Sequence, residues 1–282
     1  MDEQLQKKVT TALKLLRSFA GNDIVEISYS GGKDSDVILQ LAREAGINYR
    51  AIYKCTTIDP RGTIAHVKSN GVEVMRPKET FFKLIARNGY PNPRSRFCCK
   101  TLKEYKVLNK AVHGVRRAES TARKKRYSAS DPIVCRIYGK KSINAQVCLP
   151  ILNWSDDDVK NFIADRGIKC HPLYYDENGN FDVSRRLGCI GCPLASVKNR
   201  VEQFKQYPRY IKLWIKAGQE FFNTHPNAKT TQRFGGDAYK WFYMNLFYTR
   251  EFETFFQKDR PDLWGNRPNY KELLEKYFNI KL

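Results

Sequence analysis

Acidic side chains are scarce in this chain of 282 residues. Asp and Glu number 29 against 50 Lys and Arg, a formal charge of +21. A small phosphorylated substrate needs only a local basic pocket, whereas a field of this size suits a polyanion such as DNA or RNA. Long apolar runs are missing too. None approaches the roughly 20 residues that span a bilayer, which excludes a membrane-spanning helix. The opening MDEQLQKKV lacks the pattern of a signal peptide, so a cytoplasmic location is the expectation. No internal repeat or low-complexity segment stands out. Hydrophobic residues make up 41%, enough for one large domain or a domain with an appendage. Cysteine is not scarce, with eight at 55, 98, 99, 135, 148, 170, 189 and 192. In a reducing compartment these point to metal binding or sulfur chemistry rather than to disulfides.

The most informative stretch is IVEISYSGGKDS, residues 24–35. Ile24, Val25 and Ile27 form the short apolar run of a buried strand. Ser30-Gly31-Gly32 makes a polar turn, and Val37, Ile38, Leu41 and Ala42 then recur at helical spacing. Strand, glycine-rich loop and helix together aim backbone N–H groups and the positive end of a helix dipole at an anion. Ser30 and Ser35 add hydroxyls and Lys33 a point charge. The G-x-x-x-x-G-K-[ST] spacing of a Walker A loop is absent.

Ser30-Gly31-Gly32-Lys33-Asp34-Ser35 instead resembles the PP-loop of the ATP pyrophosphatase and sulfonucleotide reductase superfamily. Gly114-Val115-Arg116-Arg117-Ala118-Glu119-Ser120 with Arg123 resembles a second segment of that superfamily, whose arginines face the phosphate or sulfate end of the substrate. That likeness implies that Arg116, Ser120 and Arg123 contact the anion. Leu149 to Val159 resembles a third segment and also reads as a helix start, with Ser155 as cap and Asp158 three residues on.

Elsewhere strand and helix patterns alternate. Residues 3–19 read as an amphipathic helix, 49–53 as a second strand, 72–75 as a short strand and 78–87 as a helix. The expected fold is α/β, a doubly wound and mostly parallel sheet with a C-terminal helical appendage. The expected division is a PP-loop nucleotide-binding domain over 1–199, holding the cysteine site, and a helical region over 200–282. Thr56, Thr57 and Asp59 follow the second strand, where open α/β sheets bind ligands, so all three are candidate nucleotide contacts. Residues 87–126 are basic with interleaved aromatics, the composition of a nucleic-acid groove. The aromatic stripes of 204–222 and 238–256 read as core.

Cys98-Cys99 and Cys189-Ile190-Gly191-Cys192 together offer four thiolates, which suit tetrahedral zinc or a [4Fe-4S] cluster. Adjacent cysteines are unusual for structural zinc. The pattern resembles cluster binding in assimilatory adenylyl-sulfate reductases and in the DNA phosphorothioation proteins built on the same fold. That resemblance implies a [4Fe-4S] cluster, with zinc as the alternative. Cys55, Cys135, Cys148 and Cys170 read as buried small hydrophobes, with Cys55 near enough to the loop to test as a sulfur relay. His171 before Pro172 reads as structural.

The resemblance implies an AMP-forming ATP pyrophosphatase that adenylates an oxygen of nucleic acid, by DNA phosphorothioation or tRNA thiolation. ATP with Mg²⁺ would sit over residues 30–35, with Lys33, Arg116 and Arg123 on the phosphate charge. Asp34 would orient the loop or hold the metal. A cysteine desulfurase or another sulfur donor is implied as partner. One alternative is a phosphoadenylyl- or adenylyl-sulfate reductase, which needs a late nucleophilic cysteine; none follows Cys192 here. The other is a non-catalytic nucleic-acid-binding module.

Overall fold

The computed structural model describes residues 2–128, 131–138, 143–249, 251–261 and 267–282. Among the described residues, six strands form one sheet: β1 Val25–Tyr29, β2 Tyr49–Lys54, β3 Glu73–Met75, β4 Lys110–Val112, β5 Ile133–Tyr138 and β6 Ile143–Cys148. Their order is β3-β2-β1-β4-β6-β5. All neighbours pair in parallel except β5 and β6. The expected α/β class and mostly parallel sheet are therefore what the chain adopts. The first three strands run outward on one side of β1 and the later ones lie on the other. A crevice at the strand carboxyl ends beside β1 follows from that reversal.

β1 is central, and Val25, Ile27 and Tyr29 are buried. Glu26 is buried as well, and it is held by Lys54 Nζ at 2.9 Å and Ser28 Oγ at 2.8 Å. Burial of a carboxylate is tolerated because both partners come from the same sheet. Helices cover the faces. Glu3–Ala20 is capped by Asp2, which accepts from Leu5 N at 2.7 Å, and it buries Leu5, Val9, Ala12, Leu16 and Phe19 on one stripe. Asp156–Asp165 opens on a reciprocal capping box between Ser155 and Asp158, as the sequence indicates.

The chain divides into two compact units. The first comprises Met1–Cys55, Asp59–Pro77 and Leu102–Gly188 and contains the sheet. The second comprises Thr56–Ile58, Lys78–Thr101 and Cys189–Leu282. The division therefore differs from the one expected at residue 199. Both cysteine pairs belong to the second unit and not to the sheet domain. The reason is aromatic packing within that unit. Phe81 lies 5.2 Å from Trp214 between ring centroids, and Tyr90 stacks on Trp241 at 4.0 Å. The Tyr90 hydroxyl also donates to the Trp214 carbonyl at 2.8 Å. Trp214 and Trp241 are buried, so the late aromatic stripes form core. Among the described residues no helix is long and apolar enough to cross a membrane.

Candidate functional site

In the first unit, β1 runs into Ser30-Gly31-Gly32 and then into the helix Lys33–Ala45. Gly31 takes φ +78°, a conformation that favours glycine. Gly32 is the N-cap and supplies no side chain to the first turn. The Ser35 hydroxyl donates to the Gly32 carbonyl at 2.6 Å, and Ser30 and Ser35 hydroxyls lie 3.2 Å apart. The turn is closed from below by Gly114, just past β4. A Cβ on Gly114 would stand 2.7 Å from the Asp34 carbonyl oxygen, so only glycine lets the two segments touch.

A cavity of about 340 Å³ opens over this turn. Ser30, Gly32, Lys33, Asp34 and Ser35 line it from the loop, and Arg123, Arg186 and His113 line it from elsewhere. Lys33 is buried, with its Nζ 3.4 Å from Asp34 and 5.5 Å from the centre of the Tyr174 ring. Tyr174 also lines the cavity, and its hydroxyl accepts from Leu187 N at 3.3 Å. Arg123 pairs with Glu119, and Arg186 donates to the Glu119 carbonyl. A half-buried guanidinium and an exposed one are thus gathered at the rim by one acidic residue. With Lys33 and the helix start they give a concave, cation-lined surface suited to phosphate groups.

The residues expected from sequence are not all placed alike. Ser30, Gly32, Lys33, Asp34, Ser35 and Arg123 come together around the cavity, and Gly31 shapes the turn. Arg116 does not face it. Its guanidinium is fully buried, with Nε 2.6 Å from Asp34 Oδ1, Nη2 2.7 Å from Asp156 Oδ1 and Nη1 3.3 Å from the Trp154 carbonyl. Burial pulls the Arg116 pKa down, but the carboxylates of Asp34 and Asp156 outweigh it and raise the net value. Arg116 therefore fixes Asp34, which in turn lies against Lys33. Ser120 caps the helix Thr121–Arg126 by accepting from Arg123 N at 3.2 Å. Asp59 lies 3.8 Å from the Cys55 thiol, and Thr57, in the second unit at φ +66°, accepts from Phe81 N at 2.8 Å.

His113, Tyr174 and Arg186 are site residues that sequence reading did not single out. Burial pushes the His113 imidazole down to about 3, reinforced by Arg136 and Lys54. It is neutral at any physiological pH. His171 is structural as expected: buried, its Nδ1 accepts from Leu173 N at 3.1 Å. Cys55, Cys148 and Cys170 are buried as expected, but Cys135 is exposed, because β5 is the edge strand of the sheet.

Within the second unit the Cys98 thiol is pushed strongly upward, first by its hydrogen bond to Cys99, then by burial and by the charges of Cys99 and Cys189. Cys189 Sγ lies 3.5 Å from the Thr56 hydroxyl, and Cys192 N donates to the Cys189 carbonyl at 3.2 Å within one turn. Cys98 thus lies within reach of Cys99 and Cys189, and Cys192 shares a turn with Cys189. Thiolates are the donors that zinc and iron–sulfur centres use, so the four cysteines match such a centre in donor chemistry. Among the described residues, no group of three or more His, Cys, Asp or Glu is set closely enough to hold a metal ion.

Comparison with known proteins places these features. The chain is 29% identical over 237 residues to an uncharacterized protein of Methanocaldococcus jannaschii, covering 78% of this chain and 54% of that protein. It is 30% identical over 158 residues to an uncharacterized protein of Escherichia phage 186, covering 51% of this chain and 44% of the other. The chain thus spans about half the length of these curated relatives. Among solved structures, it is similar to phosphoadenylyl-sulfate reductase from Candida auris at 15% identity and TM-score 0.45, covering 67% of this chain and 96% of that one. It is similar to FMN adenylyltransferase from Candida glabrata at 16% identity and TM-score 0.40, covering 61% and 58%. The sequence model for the phosphoadenosine phosphosulfate reductase domain matches residues 24–195, from the start of β1 to just past the Cys-x-x-Cys turn. Enzymes of that description act on an adenine nucleotide, and the loop, the Gly114 contact and the cationic rim all fall inside the matched span. The chain belongs to the phosphoadenosine phosphosulfate reductase domain family.

Proposed function

We propose that this protein is an AMP-forming ATP pyrophosphatase that adenylates an oxygen of nucleic acid and so prepares it for replacement by sulfur. The observation that carries the reading is the cavity over the helix start, where Ser30, Ser35, Lys33, Arg123 and Arg186 surround a space suited to a polyphosphate. An acceptor oxygen attacks the α-phosphorus, the bond to the β-phosphate bridging oxygen breaks, and pyrophosphate leaves. Lys33 and the two rim arginines neutralise the charge that develops on it. Mg²⁺ enters with the phosphates, as hard cations usually do. Asp34, held between Arg116 and Lys33, serves to orient the lysine. A sulfur nucleophile from a donor protein then displaces AMP from the activated position.

Cys98, Cys99, Cys189 and Cys192 are the residues that would hold a [4Fe-4S] cluster, which in this reading supplies sulfur-handling or redox capacity when bound. The charge of +21 supports a nucleic-acid acceptor, whether DNA or tRNA.

Incubation with α-labelled ATP should yield AMP and pyrophosphate, and Lys33→Ala should abolish the product. Exclusive release of ADP would remove the assignment. Sulfite formation from phosphoadenylyl sulfate would decide for the reductase instead. Anaerobically purified protein should contain about four irons per chain. Stoichiometric zinc without iron would assign the cysteines to a structural site.

A further inference from the structure

Residues 172–187 belong to the first unit and bring Tyr174, Arg186 and Leu187 to the wall of the phosphate cavity. The segment is folded by its own bonds. Tyr175 and Phe181 form an antiparallel β-bridge. Asp176 Oδ1 accepts from Asn178 N at 2.9 Å and from Asn180 N at 2.8 Å, and Asp182 N donates to the Tyr174 carbonyl at 2.7 Å. Its two ends meet at one atom, the Tyr174 hydroxyl oxygen, which accepts from Leu187 N at 3.3 Å. The backbone N–H of Lys33, the first residue of the helix Lys33–Ala45, donates to the same oxygen. The contact is close, for a Cβ on Gly32 would stand 3.1 Å from that hydroxyl. Leu187 reaches the loop as well, its Cδ2 3.3 Å from the place of a Cβ on Gly31.

A phenol oxygen that takes two backbone N–H groups satisfies donors that are costly to leave unpaired. Burial pushes the Tyr174 phenol up to about 12, so it stays neutral and does not cancel the positive end of the helix. The segment is thereby fixed to the helix start at Leu187, one residue from Arg186. Arg186 itself is exposed. An exposed arginine on a loose chain contributes little, because ordering it costs conformational entropy. On a backbone that is already pinned, less of that cost remains to be met when the ligand arrives.

We propose that Tyr174 is a positioning residue for the pyrophosphate end of the ATP cavity: its hydroxyl locks residues 172–187 to the helix start and so holds Arg186 in reach of the leaving phosphates. The proposal rests on the ATP half of the function given above and is independent of its nucleic-acid half.

The test is titration calorimetry of inorganic pyrophosphate, with Mg²⁺, into the full chain. Arg186→Ala should weaken binding roughly tenfold, the loss usual for one charge-assisted bond to phosphate. Tyr174→Phe keeps the ring under Lys33 and should weaken binding roughly fivefold. In the double variant the loss should stay within about twofold of that for Arg186→Ala alone, because the hydroxyl acts through the arginine. Multiplied losses, roughly fiftyfold, would overturn the proposal, since a merely structural hydroxyl weakens the site with or without Arg186. Unchanged binding by Tyr174→Phe would overturn it as well. Tighter binding would overturn it in favour of a hydroxyl that stands in for a phosphate oxygen. Should Tyr174→Phe lose its near-ultraviolet circular dichroism, wild-type protein still decides. Hydrogen exchange over residues 172–188 should be slow before pyrophosphate is added and change by less than about twofold with it. A segment protected only in the presence of pyrophosphate is not held in advance, and the proposal falls. Exclusive release of ADP from ATP would remove the pyrophosphatase reading and leave a coupled Tyr174–Arg186 result standing, whereas multiplied losses in a protein that forms AMP would do the reverse. Wild-type protein that binds no pyrophosphate would remove both.

Discussion

Replacing Arg116 with methionine tests whether this residue positions the loop or touches the ligand. Its guanidinium side chain is 1% exposed, Asp34 is 16% exposed and Asp156 is 54% exposed. The half-exposed Asp156 contact contributes at most about 1 kcal/mol, as surface pairs do. The Asp34 contact is different, because removing the cation leaves a mostly buried carboxylate with only Lys33, 3.4 Å away, to balance it. Breaking one side of such a pair costs on the order of 3 kcal/mol, about a hundredfold in the folding equilibrium. Urea denaturation followed by tryptophan fluorescence measures this directly. The decisive comparison is the cycle with Asp34→Asn. Once the carboxylate is neutral, Arg116→Met should cost about 1–2 kcal/mol less than it does in the wild type, the coupling usual for residues in direct contact. Additive effects of the two substitutions would refute the positioning role. So would an Arg116→Met protein of wild-type stability whose only defect is a raised KM for ATP.

Gly114→Ala should destabilise the first unit by about 1–3 kcal/mol and impair ATP turnover, since its methyl would collide with the Asp34 carbonyl; urea midpoints and AMP yield check both. His113 is held neutral by burial, to about 3 against an ordinary value of 6.5. Its folded form binds fewer protons than the unfolded chain between those values, so stability is complete above pH 6.5 and declines as pH falls toward 3. At pH 5 the loss should be up to about 2 kcal/mol, and His113→Gln should flatten a stability profile measured between pH 7 and 5. Ser155→Ala should lower the urea midpoint by an amount equivalent to about 1 kcal/mol, with AMP yield unchanged, because it removes only a helix cap.

The strand, loop and helix over 25–45 were legible because apolar period, glycine pair and helical spacing change within a few residues. Ser155 was legible for a similar local reason, since a cap and its reciprocal acid lie three apart. Strand β4 was not. It is three residues long, too short to show alternation, and it lies inside a strongly basic stretch. Arg116 carries a motif whose anion-facing role and buried-pair role look identical in sequence; its partners Asp34 and Asp156, 82 positions before and 40 after, distinguish them. Tyr174 and Arg186 reach the cavity from a segment with no signature of its own. The cysteine pairs were recognisable as pairs, but the unit they join was not, because the ring contacts of Phe81 and Tyr90 that assign it are remote along the chain.

The excursion Lys78–Thr101 belongs to a body whose remaining mass is Cys189–Leu282. During translation that excursion emerges early and must wait until Trp214 and Trp241, 113 and 140 residues beyond Thr101, reach it. Phe81 and Tyr90 leave the ribosome without their partners, and a nascent chain stalled before residue 214 displays unpaired rings to any chaperone at the exit tunnel. Synthesis of the last third therefore completes an assembly begun in the first.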